Sequence, residues 1–234
     1  MSLFNISIHP GFGVLSVDCL LSAQLDDEGM PMKAPEVTAH AAHDMGHPPA
    51  ISKTHATKLV CLPHIQSVAV GAGSWAFWQI IANALMIMPC ADIDDFPTIG
   101  RDALRLGYKY FCEQYGEMAK RMGVTCAIAG YSSRKKAVIG WAFSHLDGFE
   151  MTPVSGPATQ PHINPDDPHV EMLRDLVARA DANPETAQAL HKEIAANQYR
   201  GSKSGFYPPG FHVSNEIHIA TVSEREIKIV REFV

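Results

Sequence analysis

The sequence predicts a four-layer α/β/β/α sandwich, an α+β fold in which two stacked antiparallel sheets lie between two layers of helix. Three observations carry this. Strand-like runs arrive in close couples with turn residues between them, which means antiparallel pairing. Helical patterns arrive in pairs, between those couples. No linker and no low-complexity tract divides the 234 residues, so 1–234 read as a single domain. At 46% hydrophobic and 19% charged the chain can fill a sizeable core. Stacked sheets under outer helices then bury the apolar faces economically.

The elements follow in order. "FNISIHP" (4–10) and "GVLSVDCLL" (13–21) form a first hairpin with Phe12-Gly13 in its turn. Residues 24–57 are rich in Asp, Pro, His and Ala and lack periodicity; they read as one long loop, a length that goes with function or mobility. "TKLVCLP" (57–63) and "SVAVGA" (67–72) pair across Pro63-His64-Ile65-Gln66. Helices follow at about 74–88 and 98–122. In the second, Leu104, Tyr108, Phe111, Tyr115, Met118 and Met122 recur at helical spacing and mark one buried face, with Gly123 as the stop. Gly107 and Gly116 inside it imply a neighbouring helix packed close. "VTCAIAGY" (124–131) and "KAVIGWAF" (136–143) form the next hairpin, and "FEMTPV" (149–154) a third short strand. Residues 155–166 are a Pro-rich loop. Asp167-Pro168 and Asn183-Pro184 each read as an N-cap before Pro, opening helices near 168–181 and 184–199. "NEIHIATV" (215–222) and "EIKIVREF" (226–233) close the chain as a hairpin.

Bulk properties narrow the partners. The formal charge is −6 with no long basic run, which argues against nucleic acid or an anionic membrane. Twelve His would carry that charge from −6 to +6 on full protonation, so association is expected to depend on acid pH. The five Cys have no CxxC spacing and sit in apolar patterns, as reduced core thiols of a cytoplasmic protein do. "MSLFNISIHP" lacks the basic flank and apolar core of a signal peptide. The apolar stretch near 75–91 is too short for a bilayer and carries Gln79, Asn83 and Pro89.

The stretch "AVGAGSWAFW" (69–78) poses the functional question. Tiny residues at a strand-to-helix joint let something approach the backbone. Gly71-Ala72-Gly73-Ser74-Trp75-Ala76 fits G-x-G-x-x-A, with Asp92 and Asp94 about twenty residues on for a ribose. This nucleotide-binding reading needs a parallel βαβ unit, whereas here one helix leads into another and strands come as hairpins. A reacting carbonyl oxygen, or a packed helix, is the other reading.

"GVLSVD", "TKLVCLPHIQSVAVGAGSWAFW" and "CAIAGYSSRKKAVIGWAF" resemble proteasome β-type subunits, which are N-terminal-nucleophile hydrolases, and the element order agrees over nearly the whole chain. The resemblance implies a divergent amide- or peptide-hydrolysing subunit that assembles with copies of itself and needs no cofactor. In that family the side chain of the first mature residue attacks and its α-amine is the base. Carried over, Ser2 falls on the nucleophile position, Asp18 on the acidic position, Lys58 on the lysine position and Gly73 on the oxyanion turn. Met1 would have to be removed to free the Ser2 amine; "MSL" reads equally as a cloning remnant. The family's Ser-Gly turn is replaced by "VSGPATQPH", and its Asp and Gly-Gly turn by "RGSKSGFYPPG". These departures imply a degenerate or inactive site, and hence a second reading as a non-catalytic assembly or binding subunit.

Other residues were weighed. His40, His43, His47 and His55, with Asp44, could ligate a metal, but no regular element fixes their spacing. Trp75, Phe77 and Trp78 cannot all lie on one helical stripe, so their helix is buried on two sides or exposes an interface. Cys19 beside Asp18 makes a poor nucleophile, because the carboxylate disfavours a thiolate.

Overall fold

The computed structural model describes residues 4–19, 57–73, 75–116, 119, 124–154, 158–159, 171, 174–175, 178, 182–204 and 213–234. Strand β1 (Phe4–His9) turns into β2 (Phe12–Asp18) at Pro10-Gly11, two residues earlier than the sequence reading. Gly11 takes φ +86, a left-handed conformation that glycine tolerates, and Phe12 already pairs with His9, their rings stacked at 4.4 Å. Strands β3 (Leu59–Leu62) and β4 (Ser67–Gly73) join through a 3₁₀ turn over Pro63–Ile65 and a left-handed Gln66.

Helix α1 (Trp75–Ile87) and helix α2 (Arg101–Tyr115) come next, the latter entered through a wide π-type turn at Phe96–Gly100. Then follow β5 (Val124–Ser132), β6 (Ala137–Ser144), β7 (Thr152–Pro153), β8 (Ala158–Thr159), α3 (Pro184–Ser204), β9 (Glu216–Ser223) and β10 (Ile227–Phe233). Asn183 caps α3: its Oδ1 accepts from the Thr186 amide at 2.9 Å, as the Asn-Pro pair predicts.

The described strands form two five-stranded sheets, ordered β10-β9-β2-β1-β8 and β3-β4-β5-β6-β7. Every described pairing is antiparallel. The first and last hairpins thus share one sheet, and the middle hairpins make the other.

Alternation along the strands fills three apolar layers. Leu15, Val17, Ala220 and Val222 face Val68, Val70, Ala127 and Ala129 between the sheets. Val14, Ile217 and Ile219 face Ala187 and Ala195 under α3. Ala69, Cys126 and Ile128 face Phe77, Trp78 and Ile81 under α1, with Phe111 of α2 beyond. The four layers predicted from the sequence are therefore observed.

Three further details differ from the sequence reading. Helix α2 ends at Tyr115, because Gly116 at φ +55 breaks the helical path there rather than lying inside it. Strand β8 falls in the expected Pro-rich loop; Ile6 pairs with Ala158 and extends the first sheet. Helix α3 runs on past 199 to Ser204. Of the expected helix at 168–181, Glu171, Arg174, Asp175 and Ala178 are described and are helical. Met118, Met122, Gly123 and the loop from 24 to 56, with its histidines, lie outside the described residues. The five cysteines are free, and among the described residues no helix is long and apolar enough to cross a membrane.

Candidate functional site

Asp18 ends β2 in one sheet, and Lys58 precedes β3 in the other. The two residues meet because β2 finishes, and β3 begins, at the same end of the sandwich. Lys58 Nζ donates to Asp18 Oδ2 at 3.4 Å, with the side chains 4% and 1% exposed. Two charges so buried are stable only as partners. The Lys58 carbonyl accepts from the Gly71 amide at 3.1 Å, which brings the small-residue turn to the same end. Gly73, two residues on, has φ +125, a conformation reserved in practice for glycine, and is only half-buried. Asp18, Lys58 and the Gly71–Gly73 turn are thus gathered; Ser2 lies outside the described residues.

The two glycines divide the opening question between them. A Cβ on Gly71 would meet Trp78 Cε3 at 2.1 Å, so Gly71 exists to let α1 lie on β4. The nucleotide-binding reading fails on the same geometry. Strand β4 lies between two antiparallel neighbours, and no parallel βαβ unit surrounds the turn. Asp92 is committed elsewhere, accepting from the Asp94 amide and from the Ser133 amide and hydroxyl, each at 2.9 Å. Burial opposes its ionisation, yet these donors, with Ser132, bring its pKa down to about 2. Helix α1 is buried on two sides: Trp78 lies over Gly71, while Phe77 stacks on Phe111 of α2 at 4.6 Å, and Trp75 is half-buried.

Beside Asp18 is a group of mixed donors that the sequence reading missed. Cys19 Sγ lies 3.6 Å from His218 Nδ1, and Glu216 pairs with Arg231 Nε at 2.7 Å. The donor atoms of Cys19, Glu216 and His218 all fall within 4.8 Å of one another. Burial, then the Asp18 and Glu216 carboxylates, push the Cys19 thiol up to about 12, which agrees with the expectation that it is no free nucleophile. The available signal was the Glu-x-His spacing of β9, which places both side chains on one face of a strand.

A second polar concentration lies under α3. His191 Nε2 is 2.9 Å from Ser7 Oγ and its Nδ1 3.0 Å from Ser16 Oγ. His9 Nε2 reaches the same Ser7 Oγ at 2.9 Å. Asn5 and Gln198 exchange amide hydrogen bonds at 3.1 and 3.0 Å. All are buried. Burial first, and the His9 charge second, bring His191 down to about 3. The sequence reading missed this layer: Asn5, Ser7 and His9 alternate on β1, a pattern that ordinarily faces water, but here a helix covers that face and must answer it with polar groups. His191 and Gln198, seven apart on α3, supply them.

No family model matches the chain, and no curated protein does. Among solved structures the chain is similar to Anbu (ancestral beta-subunit) from Yersinia bercovieri, at 11% identity and a TM-score of 0.65, over 100% of this chain and 88% of that one. With both sheets and the helix layers already traced, that likeness shows a proteasome-like fold for the whole chain.

Proposed function

We propose that the chain is a divergent proteasome-like subunit whose chemistry, when Met1 is removed, is hydrolysis of an amide bond by Ser2. The observation that carries this reading is the buried Asp18–Lys58 pair, formed across the sheets by residues 40 apart. Strand β1 begins at Phe4, opposite Val17. In the proposed reaction Ser2 Oγ attacks the carbonyl carbon and its proton passes to the free α-amine, then to the leaving amine. The resulting ester is released by water. Lys58, held by Asp18, favours the unprotonated α-amine by its charge, and the Gly73 amide donates to the oxyanion. Mass spectrometry of protein made without vector residues tests the first requirement: retained Met1 ends the mechanism. If Met1 is absent, an epoxyketone probe is expected to label Ser2 and to spare a Ser2→Ala variant.

A second reading, a non-catalytic subunit that assembles with copies of itself, is favoured by a separate observation. Ile87 is 82% exposed and Leu106 69%, and both line a groove between α1 and α2 with Tyr110. Large apolar side chains held in water together fit a covered face better than a bare one. Absence of any label on processed protein would select this reading.

A further inference from the structure

We propose that Cys19, Glu216 and His218 form a binding site for a divalent cation of the zinc class. Strand pairing sets the donors. The Cys19 amide donates to the Glu216 carbonyl at 3.2 Å, and Val17 lies opposite His218. The three side chains therefore fall on one face, at the end of the first sheet. A tetrahedral ion with a sulfur at about 2.3 Å and an imidazole nitrogen at about 2.05 Å holds those two atoms roughly 3.6 Å apart. Cys19 Sγ and His218 Nδ1 are 3.6 Å apart. This edge of the coordination shell is already formed, and Glu216 completes a set within 4.8 Å.

The donor chemistry selects the ion. Sulfur, imidazole and carboxylate together suit Zn²⁺, whereas Mg²⁺ and Ca²⁺ take oxygen. Glu216 is met by Arg231, whose side chain is 60% exposed. Arg231 can swing into water, so that one cation replaces another beside the same carboxylate. Half-buried His218 gives the entry. Three protein donors leave a fourth position for water. A bound ion would pin β9 to the chain leaving β2, one residue past Asp18. The site does not depend on Ser2 or on hydrolysis.

The test titrates Co²⁺, then Zn²⁺, into the chelator-stripped full chain. One Co²⁺ per chain is expected, with a thiolate-to-cobalt charge-transfer band that Zn²⁺ displaces. Cys19→Ser should abolish the band. His218→Ala should weaken binding by at least about 100-fold, since partners that merely orient ligands are worth 10–100-fold. Cys61→Ser should keep the band, and circular dichroism confirms that each variant folds. Absence of the band in the wild type, its survival in Cys19→Ser, or unchanged affinity in His218→Ala would each overturn the site.

Discussion

A Cβ on Gly71 would enter the indole of Trp78, which is itself buried and cannot retreat. Gly71→Ala is therefore expected to cost about 2 kcal/mol, the scale of overpacking in a filled core, read as a lower urea midpoint with an unchanged slope. Lys58→Ala removes the buried cation paired with the Asp18 carboxyl and is expected to cost about 3 kcal/mol. An Asp18→Asn, Lys58→Met double variant should recover much of that loss. If the single variant unfolds at the wild-type midpoint, the pair is not holding the sheet ends together. At this scale the sequence was readable where one residue type has few uses. Asp18 and Lys58 were found through the resemblance and do meet. Gly71 was legible as a close approach, though the approaching body was an indole and not a ligand. Cys19 was noticed only as a poor nucleophile; its grouping with Glu216 and His218 was not found, because Glu216 lies 197 positions further along the chain and only strand register unites them.

Between elements, α3 sits on the first sheet through the His191 network as well as through Ala187 and Ala195. His191 stays neutral when folded, with its pKa brought down to about 3, but binds a proton below about 6.5 when unfolded. The unfolded state then holds more protons, so the stability present above that pH is lost as pH falls toward the folded value. The slope reaches about 1.4 kcal/mol per pH unit for one proton. The urea midpoint is expected to drop between pH 7 and pH 5, and less steeply in His191→Gln; equal slopes would remove His191 as the cause. Helix α2 offers the opposite sign. A Cβ on Gly107 would rest 3.5 Å from Ile80 Cγ2, in ordinary contact. Gly107→Ala should raise stability by about 0.5–1 kcal/mol through helix propensity, again by urea unfolding. Long periodic elements and capped starts were legible, as α2 and Asn183 show. Strand β8 was not, since two residues carry no period, and neither was the polar seam under α3, since polar residues on alternate strand positions ordinarily face water.

For the molecule as a whole, two layers of hairpins under helices were legible because antiparallel couples admit few arrangements. Assembly was not, because exposed Ile87 and Leu106 report a face without its occupant. If copies associate there, sedimentation should give a multiple of 25.5 kDa, and Leu106→Glu should shift it toward 25.5 kDa. A wild type at 25.5 kDa would end the assembly reading. The distribution of polar bridges across the sandwich bears on motion. Lys58 and Asp18 tie the sheets at one end. At the other, Gln66 Nε2 donates to the Ser223 and Glu224 carbonyls at 2.8 and 2.6 Å, and Tyr131 donates to the Glu224 carboxylate at 3.0 Å. Polar contacts therefore join the two sheets at both of their ends. A molecule arriving beside Asp18 therefore meets an edge where two sheets are already joined, so its fit is set by side chains carried on strand ends rather than by a gap between separable halves.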